Sequence, residues 1–288
     1  MEPEKRIVNE PSYLIRQAAR AALKGRMPLV IASAAVFILC LSLPIIIVEQ
    51  ITRLWDMLER AVDEYLSELM NSSSPVSIYE WAQNYPYPQG ISIATLLFVL
   101  MVPGPLTLGL SVIWLRVIRG QDAFADMIFS GFGNFFRAML LNLIRCVFMA
   151  IWAILFIIPG IIAYYRYSLA FFLLADDPKM SPFTAIALSK YYMRDNKGNR
   201  FILDLSFIGW FAASAILFAL STGLVADIIA SAGYVLSLFI NQLIMSVLGA
   251  VIFAPVVAYR CVAAAEYYHR AICKDPAGFK DTLKLPVL

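Results

Sequence analysis

Residues 135–177 read FFRAMLLNLIRCVFMAIWAILFIIPGIIAYYRYSLAFFLLADD. This stretch is a long apolar run that is interrupted once, by Pro159-Gly160. Each half has roughly the length that a helix needs to cross a hydrocarbon core of about 30 Å. A proline–glycine pair between two apolar halves is a turn signal. The stretch therefore predicts a transmembrane helical hairpin with its turn at Pro159-Gly160.

The composition of the whole chain is that of a membrane protein. Of its 288 residues, 61% are hydrophobic and 15% are charged, and the mean hydropathy is +0.74. Soluble domains have about 45–50% apolar and about 25% charged residues, and a soluble fold of this length could not bury so much apolar surface. The net charge of +3 is too small to suggest nucleic-acid binding. We expect membrane lipids as partners and no nucleic acid.

The apolar runs predict an all-α, polytopic membrane protein with six transmembrane helices. The expected spans are residues 29–48, residues 91–118 with a break at Pro103-Gly104-Pro105, the two halves of 135–177, residues 201–220, and the run that begins at Tyr234 and is kinked at Pro255. The predicted organisation is a basic amphipathic segment (1–27), a six-span domain (28–272) with an extracytoplasmic excursion (49–90), and a tail (273–288).

Lysine and arginine counts predict the orientation, because cytoplasmic loops carry an excess of these residues. Residues 1–27, 116–137, 179–200 and 260–284 hold six, three, five and five basic residues, whereas the alternate loops hold only Arg53 and Arg60. Residues 49–90 also carry seven acidic residues. We expect a bacterial cytoplasmic membrane, both termini in the cytoplasm and residues 49–90 outside.

The N-terminal segment predicts an interfacial helix. Apolar side chains from Leu14 to Leu23 recur at helical spacing on one face, and Arg16, Arg20 and Lys24 lie four residues apart on another. Such a helix is expected to bury its apolar face in lipid and to point its cations towards lipid headgroups.

A threefold internal repeat is also indicated. Residues 22–26, 129–137 and 195–200 each combine glycine with arginine where an amphipathic segment ends and a span begins. Each is followed by an apolar run that a proline interrupts. We interpret these as three tandem units, each an interfacial helix plus a two-span hairpin. The alternative is that glycine and proline recur because they are frequent in membrane helices.

Several passages carry a family resemblance: IRQAARAALKG at 15–25, IIPGIIAYYRY at 157–167 with ADDP at 175–178, AIALS at 185–189, and FILDLSFIGW at 201–210. Together they resemble the bacterial integral-membrane family catalogued as domain of unknown function 975. This resemblance covers most of the chain and implies no assigned activity. A fainter resemblance links it to membrane regions fused to glycerophosphodiester phosphodiesterases, which hints at lipid biology, although that catalytic domain is absent here.

Ionisable side chains at membrane depth are costly and are often functional. The candidates, with one neighbouring phenol, are Arg145, Arg166, Asp204, Arg260, Glu266 and Tyr164. Arg166 and Arg260 follow Gly160 and Pro255 at similar distances and could bind a lipid phosphate together. In the alternative interpretation each arginine pairs with Asp204, Glu266 or a helix carbonyl, or extends to the interface. Asp204 is expected to pair with Arg200 four residues earlier, or to couple protons.

No motif for an enzyme is present. The only histidine is His269, and the four cysteines form no CxxC pair, so His-based triads and common metal sites are not supported. We expect no enzymatic activity, no cofactor and no metal. The function classes left open are a protein that handles lipids or small amphiphiles, a transporter with a site at kinked helices, and a membrane scaffold or regulator. The sequence indicates no protein partner or oligomeric state.

Overall fold

The computed structural model describes residues 7–71, 93–229 and 234–272. Throughout these residues the chain forms helices and short connections, with no β-strand. The all-α prediction is therefore confirmed. The predicted boundaries of the N-terminal segment, the six-span domain and the tail stay predictions. The part of the excursion after Asn71 and all of residues 273–288 lie outside the described residues.

The first third of the chain forms four α-helices: α1 (Ser12–Leu23), α2 (Met27–Asn71), α3 (Ile93–Met101) and α4 (Pro103–Ile118). The predicted break at Pro103 is confirmed. Proline starts α4 because the first turn of a helix needs no backbone N–H donor. Helix α2 carries the first span past Val48 and continues as one helix through the first part of the polar segment to Asn71.

The second third begins with a 3-10 helix (Ala125–Asn134), followed by α5 (Phe135–Leu155), α6 (Ile157–Arg166) and α7 (Ala170–Asp176). The hairpin is present, but its predicted turn at Pro159-Gly160 was wrong. The chain reverses at Phe156, whose backbone is extended (φ −160°, ψ 146°). Pro159 lies in the first turn of α6, where it is tolerated. A Cβ added to Gly160 would lie 2.9 Å from the Ala153 Cα atom, so glycine allows the two helices to meet.

The last third forms α8 (Pro182–Tyr192), α9 (Lys197–Leu205), α10 (Ile208–Ile229) and α11 (Tyr234–Ile272). Span five was predicted as one helix ending near residue 220. Instead it is interrupted at Ser206–Phe207, and α10 continues through part of the region expected to be a loop. Helix α11 passes through Pro255 and includes Glu266 and Arg270, as predicted.

Six helical segments within the described residues are long and apolar enough to cross a membrane. They are Met27–Arg60, Ile93–Ile118, Ala125–Leu155, Ile157–Asp176, Lys197–Gly223 and Ile240–Ile272. The prediction of a polytopic protein with six transmembrane helices is confirmed at this level. Their order alternates a first span and a return span in each third of the chain, which agrees with the predicted three units.

Helix α1 packs against protein rather than lying with its apolar side in lipid. Ile15, Ala19 and Leu23 are fully buried in the main hydrophobic core, and α1 contacts α11, α4 and α9. Arg20 is exposed and lies over the Tyr259 ring at 5.7 Å, so the expectation that the cations of α1 face headgroups stays a prediction. Hydrophobic periodicity is the same whether the apolar face meets lipid or protein, so it could not decide between them.

The basic segments meet at one end of the bundle, which we call the basic end and define by Arg26, Arg119, Asp176, Asn196 and Arg270. Arg26 donates to the carbonyls of Gly120 and Gln121, each at 2.9 Å. Arg119 pairs with Asp176 at 2.7 Å, and the Val8 N–H donates to the Asn196 side chain at 2.9 Å. Arg270 forms an ion pair with Glu10.

Arginine contacts support the repeat. The arginine that precedes or opens the first span of each predicted unit touches the end of the return span of the same unit. Arg26 reaches Gly120 and Gln121 beyond α4, Arg137 donates to the Pro178 carbonyl beyond α7, and the Arg200 guanidinium carbon lies 5.8 Å from the Tyr267 ring centroid in α11. In each of the three units, an arginine near the start of the first span therefore contacts the end of the return span.

Candidate functional site

At the breaks in the apolar spans, backbone groups lose their helical hydrogen bonds. Side chains of this protein bond to these groups instead. Between α6 and α7, the buried Ser189 hydroxyl donates to the Arg166 carbonyl at 2.9 Å and accepts the Leu169 N–H at 3.2 Å. Between α9 and α10, Arg16 reaches the Ser206 carbonyl at 3.5 Å. These breaks are thus stabilised from within the protein, as buried backbone groups require.

A polar cluster surrounds Asp204, and we define it as Arg200, Asp204, Arg260 and Tyr164. Arg260 binds Asp204 with two hydrogen bonds, Nε to Oδ1 at 3.0 Å and Nη2 to Oδ2 at 2.9 Å. Arg200 Nη1 donates to Oδ1 at 2.7 Å. The expected pairing of Arg200 with Asp204 is therefore observed, and a second arginine joins it. Two guanidiniums share one carboxylate, which leaves a surplus positive charge.

Tyr164 connects this cluster to α6. Its hydroxyl accepts a hydrogen bond from Arg260 Nη2 at 2.8 Å. The Arg200 and Asp204 side chains are nearly buried, whereas 26% of the Arg260 side chain is exposed, and Tyr164 is exposed by 36%. Three helices, α6, α9 and α11, thus hold a network whose open side is formed by Arg260 and Tyr164.

Arg166 and Glu266 lie outside this network. Within the described residues the Arg166 guanidinium makes no hydrogen bond or ion pair, and only its carbonyl is engaged, by Ser189. The structure therefore gives no contact that joins Arg166 to Arg260. Glu266 accepts a hydrogen bond from Arg270 at 2.7 Å, one helical turn further along α11. Arg270 also pairs with Glu10, so this guanidinium lies between two carboxylates.

Arg145 occupies a different environment. Its guanidinium carbon lies 5.0 Å from the ring centroid of Phe171 in α7, and its Nε atom is buried without a hydrogen-bond partner. Among the described residues no carboxylate pairs with it. The Arg145 guanidinium therefore lies against the Phe171 ring, and its N–H groups have no hydrogen-bond partner among the described residues.

Sequence reasoning missed several residues of these networks. Ser189 and Asn196 lie in passages noted for the family resemblance and the repeat, but neither was predicted as a network residue. Asn196 is fully buried, and its carbonyl accepts the Tyr267 hydroxyl at 2.8 Å. The partners that tie these two residues to other helices are 20 to 188 positions away in the chain, so no local pattern could have found them. Within the described residues no three His, Cys, Asp or Glu side chains are placed to hold a metal ion.

Residues 154–272 match the family described as "Protein of unknown function (DUF975)". The resemblance identified in the sequence is thereby confirmed over this segment, which contains Tyr164, Arg166, Asp204, Arg260 and Glu266 but not Arg145. No curated protein matches the chain, and no solved structure matches it.

Proposed function

We propose that this multi-pass helical membrane protein, which contains an uncharacterised domain, is not an enzyme and binds anionic lipids or small acidic amphiphiles at the polar cluster. The observation that supports the proposal is the imbalance of charge, two guanidiniums on the single carboxylate of Asp204. A surplus cation within or close to the bilayer is costly unless an anion compensates it. Arg200 and Asp204 lie near the start of the candidate span Lys197–Gly223, and lipid phosphates are the most abundant anions at the end of a span.

The exposed part of the cluster suits such a ligand. Two donors of the Arg260 guanidinium, Nε and Nη2, already bind Asp204. A phosphate would therefore approach the exposed side of the guanidinium, next to the Tyr164 hydroxyl. Guanidinium and hydroxyl donors together match phosphate oxygens. Asp204 then acts as a competitor that lowers the affinity of Arg260 for an added anion, and this defines the experiment below.

Transport and scaffolding remain the other candidate functions. In transporters, broken helices expose backbone groups to a substrate. Here the groups at two breaks are already bonded to Ser189 and Arg16, which favours a structural role for these breaks. A scaffold would need no surplus charge in its interior. The polar cluster therefore favours ligand binding over both alternatives.

We also propose that the membrane is the bacterial cytoplasmic membrane and that both termini are cytoplasmic. The contacts at the basic end support this orientation, because residues from all four basic segments meet there and basic loops favour the cytoplasm. Reporter fusions after Ser73 and after Lys190 should report opposite compartments. Reporters that report the same compartment would contradict the orientation.

Lipid binding can be tested by native mass spectrometry of the purified protein with phosphatidylglycerol. Arg260→Gln should lower the affinity about tenfold or more, since a hydrogen bond to a charged group is worth roughly 1.5–3 kcal/mol. Asp204 keeps its pair with Arg200 in this variant. The matched control is Arg270→Gln, because Arg270 lies on the same helix with similar exposure, 21% against 26%, but between two carboxylates.

Asp204→Asn gives a second, opposite test. If Asp204 competes with the lipid for Arg260, the variant should bind phosphatidylglycerol more tightly than the parent protein does. If the network only stabilises the fold, Asp204→Asn should lower the thermal stability and leave lipid binding unchanged. Equal binding in the parent, Arg260→Gln and Asp204→Asn proteins would therefore reject the proposed site.

A further inference from the structure

Arg145 lies at the middle of a membrane span. Ten residues precede it and ten follow it in the 21-residue helix α5, Phe135–Leu155. At about 1.5 Å per residue, its Cα lies roughly 15 Å from each end of that helix. The helix length matches the thickness of the hydrocarbon core, which places the origin of this side chain near the centre of the bilayer.

The surroundings of this guanidinium leave its hydrogen-bonding edge free. The Phe171 ring covers one face of the group, with the guanidinium carbon 5.0 Å from the ring centroid. A cation–π contact of this kind uses the face and not the N–H donors. The Nε atom is buried and has no acceptor, and in the described part of the chain no carboxylate or carbonyl is bonded to the group. Arginine donors in a buried site require an acceptor.

Three other arginines have the carboxylate partners that Arg145 lacks. Arg200 and Arg260 pair with Asp204, and Arg270 pairs with Glu266 and Glu10. Asn142, the polar side chain one turn before Arg145, is nearly buried and is approached by the Cys146 thiol at 4.0 Å rather than by the arginine. Among the described residues, Arg200, Arg260 and Arg270 thus each have a carboxylate partner, whereas Arg145, like Arg166, has none.

We propose that Arg145 binds the acidic head of an amphiphile, a phosphate or carboxylate group, at mid-depth between α5 and α7. The planar N–H edge matches two oxygens of such a group, and the Phe171 ring lies against the guanidinium before the ligand arrives. The inference rests on the proposed function, because it assigns a second and deeper position to the same class of ligand.

The experiment uses the full chain in detergent and in nanodiscs, with phosphatidylglycerol and inorganic phosphate as separate probes. Arg145→Gln should weaken phosphatidylglycerol binding in native mass spectrometry by about tenfold or more. Arg145→Lys keeps the positive charge but loses the two-donor geometry of the guanidinium. Its affinity for phosphatidylglycerol should lie between those of the parent and of Arg145→Gln. The matched control is Arg166→Gln, because Arg166 is also a half-buried arginine without a side-chain partner, on the neighbouring helix.

Thermal unfolding separates binding from a structural role. In lipid-free detergent the melting temperature of Arg145→Gln should equal or exceed that of the parent, since an uncompensated cation is removed. The rise in melting temperature that phosphatidylglycerol causes should be lost. A lower melting temperature without lipid, together with unchanged lipid binding, would show that Arg145 only packs against Phe171 and would overturn the inference. Loss of binding in Arg166→Gln but not in Arg145→Gln would overturn it as well.

The two probes identify the source of the anion. A shift caused by phosphatidylglycerol but not by millimolar inorganic phosphate supports a lipid head, and a shift caused equally by both supports a small anion with the same chemistry. The variants also separate this inference from the proposed function. Loss of binding in Arg260→Gln alone leaves the polar cluster as the site and rejects Arg145, whereas loss in Arg145→Gln alone supports Arg145 and rejects the cluster.

Discussion

The basic end and the tip of the α5–α6 hairpin are built in opposite ways. At the basic end, Asp176 is bonded to Arg119 in the first unit and to Tyr268 in the third, each at 2.7 Å. At the tip, Ile154 and Ile157 are exposed by 85% and 78%, and the chain reverses through the single residue Phe156. Side-chain bonds fix the helices at one end, whereas the other end presents apolar side chains that lipid must cover.

The difference teaches that membrane helices need specific contacts only where polar groups or backbones meet. Lipid tails are as apolar as leucine, so burial of apolar side chains between helices gains little over exposure to lipid. Close backbone packing and polar pairs therefore decide the arrangement. Substitutions in the two regions should differ accordingly, and the predictions below are ordered from the largest expected effect to the smallest.

The contact between α4 and the 3-10 helix should be the most sensitive to substitution. A Cβ added to Gly109 would lie 1.9 Å from the Ile128 carbonyl oxygen, and one added to Gly131 would lie 2.0 Å from the Pro105 carbonyl oxygen. Gly109→Ala and Gly131→Ala should therefore each destabilise the fold by about 1–3 kcal/mol or more, as overpacking does. Denaturant titration of the purified protein would measure this.

Gly133→Ala is the control for that prediction. It lies in the same 3-10 helix as Gly131, and no atom lies within 4 Å of an added Cβ. Its stability should stay within about 0.5 kcal/mol of the parent. Equal effects of Gly131→Ala and Gly133→Ala would show that the backbone contact does not stabilise the protein.

Loss of Asp176 should have an intermediate effect. Its carboxylate is 8% exposed and links α4 to α11 through Arg119 and Tyr268. We expect Asp176→Ala to cost about 1–3 kcal/mol, the usual range for hydrogen bonds to a charged group when one partner is partly exposed. The neighbouring Asp177, which accepts only the Lys179 N–H among the bonds described, offers a control. If Asp177→Ala lowers the free energy of unfolding as much as Asp176→Ala does, the effect of Asp176→Ala does not come from the link between units.

Substitutions at the hairpin tip should have the smallest effect. Ile154→Ala and Ile157→Ala should change the stability in detergent by less than about 0.5 kcal/mol, because these side chains are mostly exposed. The measurement is the same denaturant titration. A cost comparable to that of Asp176→Ala would indicate that another copy or another protein covers the tip, which would remove the contrast between the two ends.

Local patterns predicted part of the fold well. The break at Pro103 and the helix in the N-terminal segment follow from the preference of proline for helix starts and from periodicity. The turn at Pro159-Gly160 was misplaced, because proline is equally suited to the first turn of a helix. Among the candidate residues, Asp204, Arg260 and Tyr164 were brought together, whereas Arg166 and Glu266 were not.

The sequence by itself determined the number of spans and the basic flanks, because run length is matched to bilayer thickness and charge is local information. Only the tertiary structure decided which face of α1 is buried in protein, that Ser189 closes the break after Arg166, and that Arg260 shares Asp204 with Arg200 while Arg145 has no such partner. The physical reason is separation along the chain. Arg260 and Asp204 are 56 residues apart, and Arg260 and Tyr164 are 96 apart, so their pairing exists only after the helices pack.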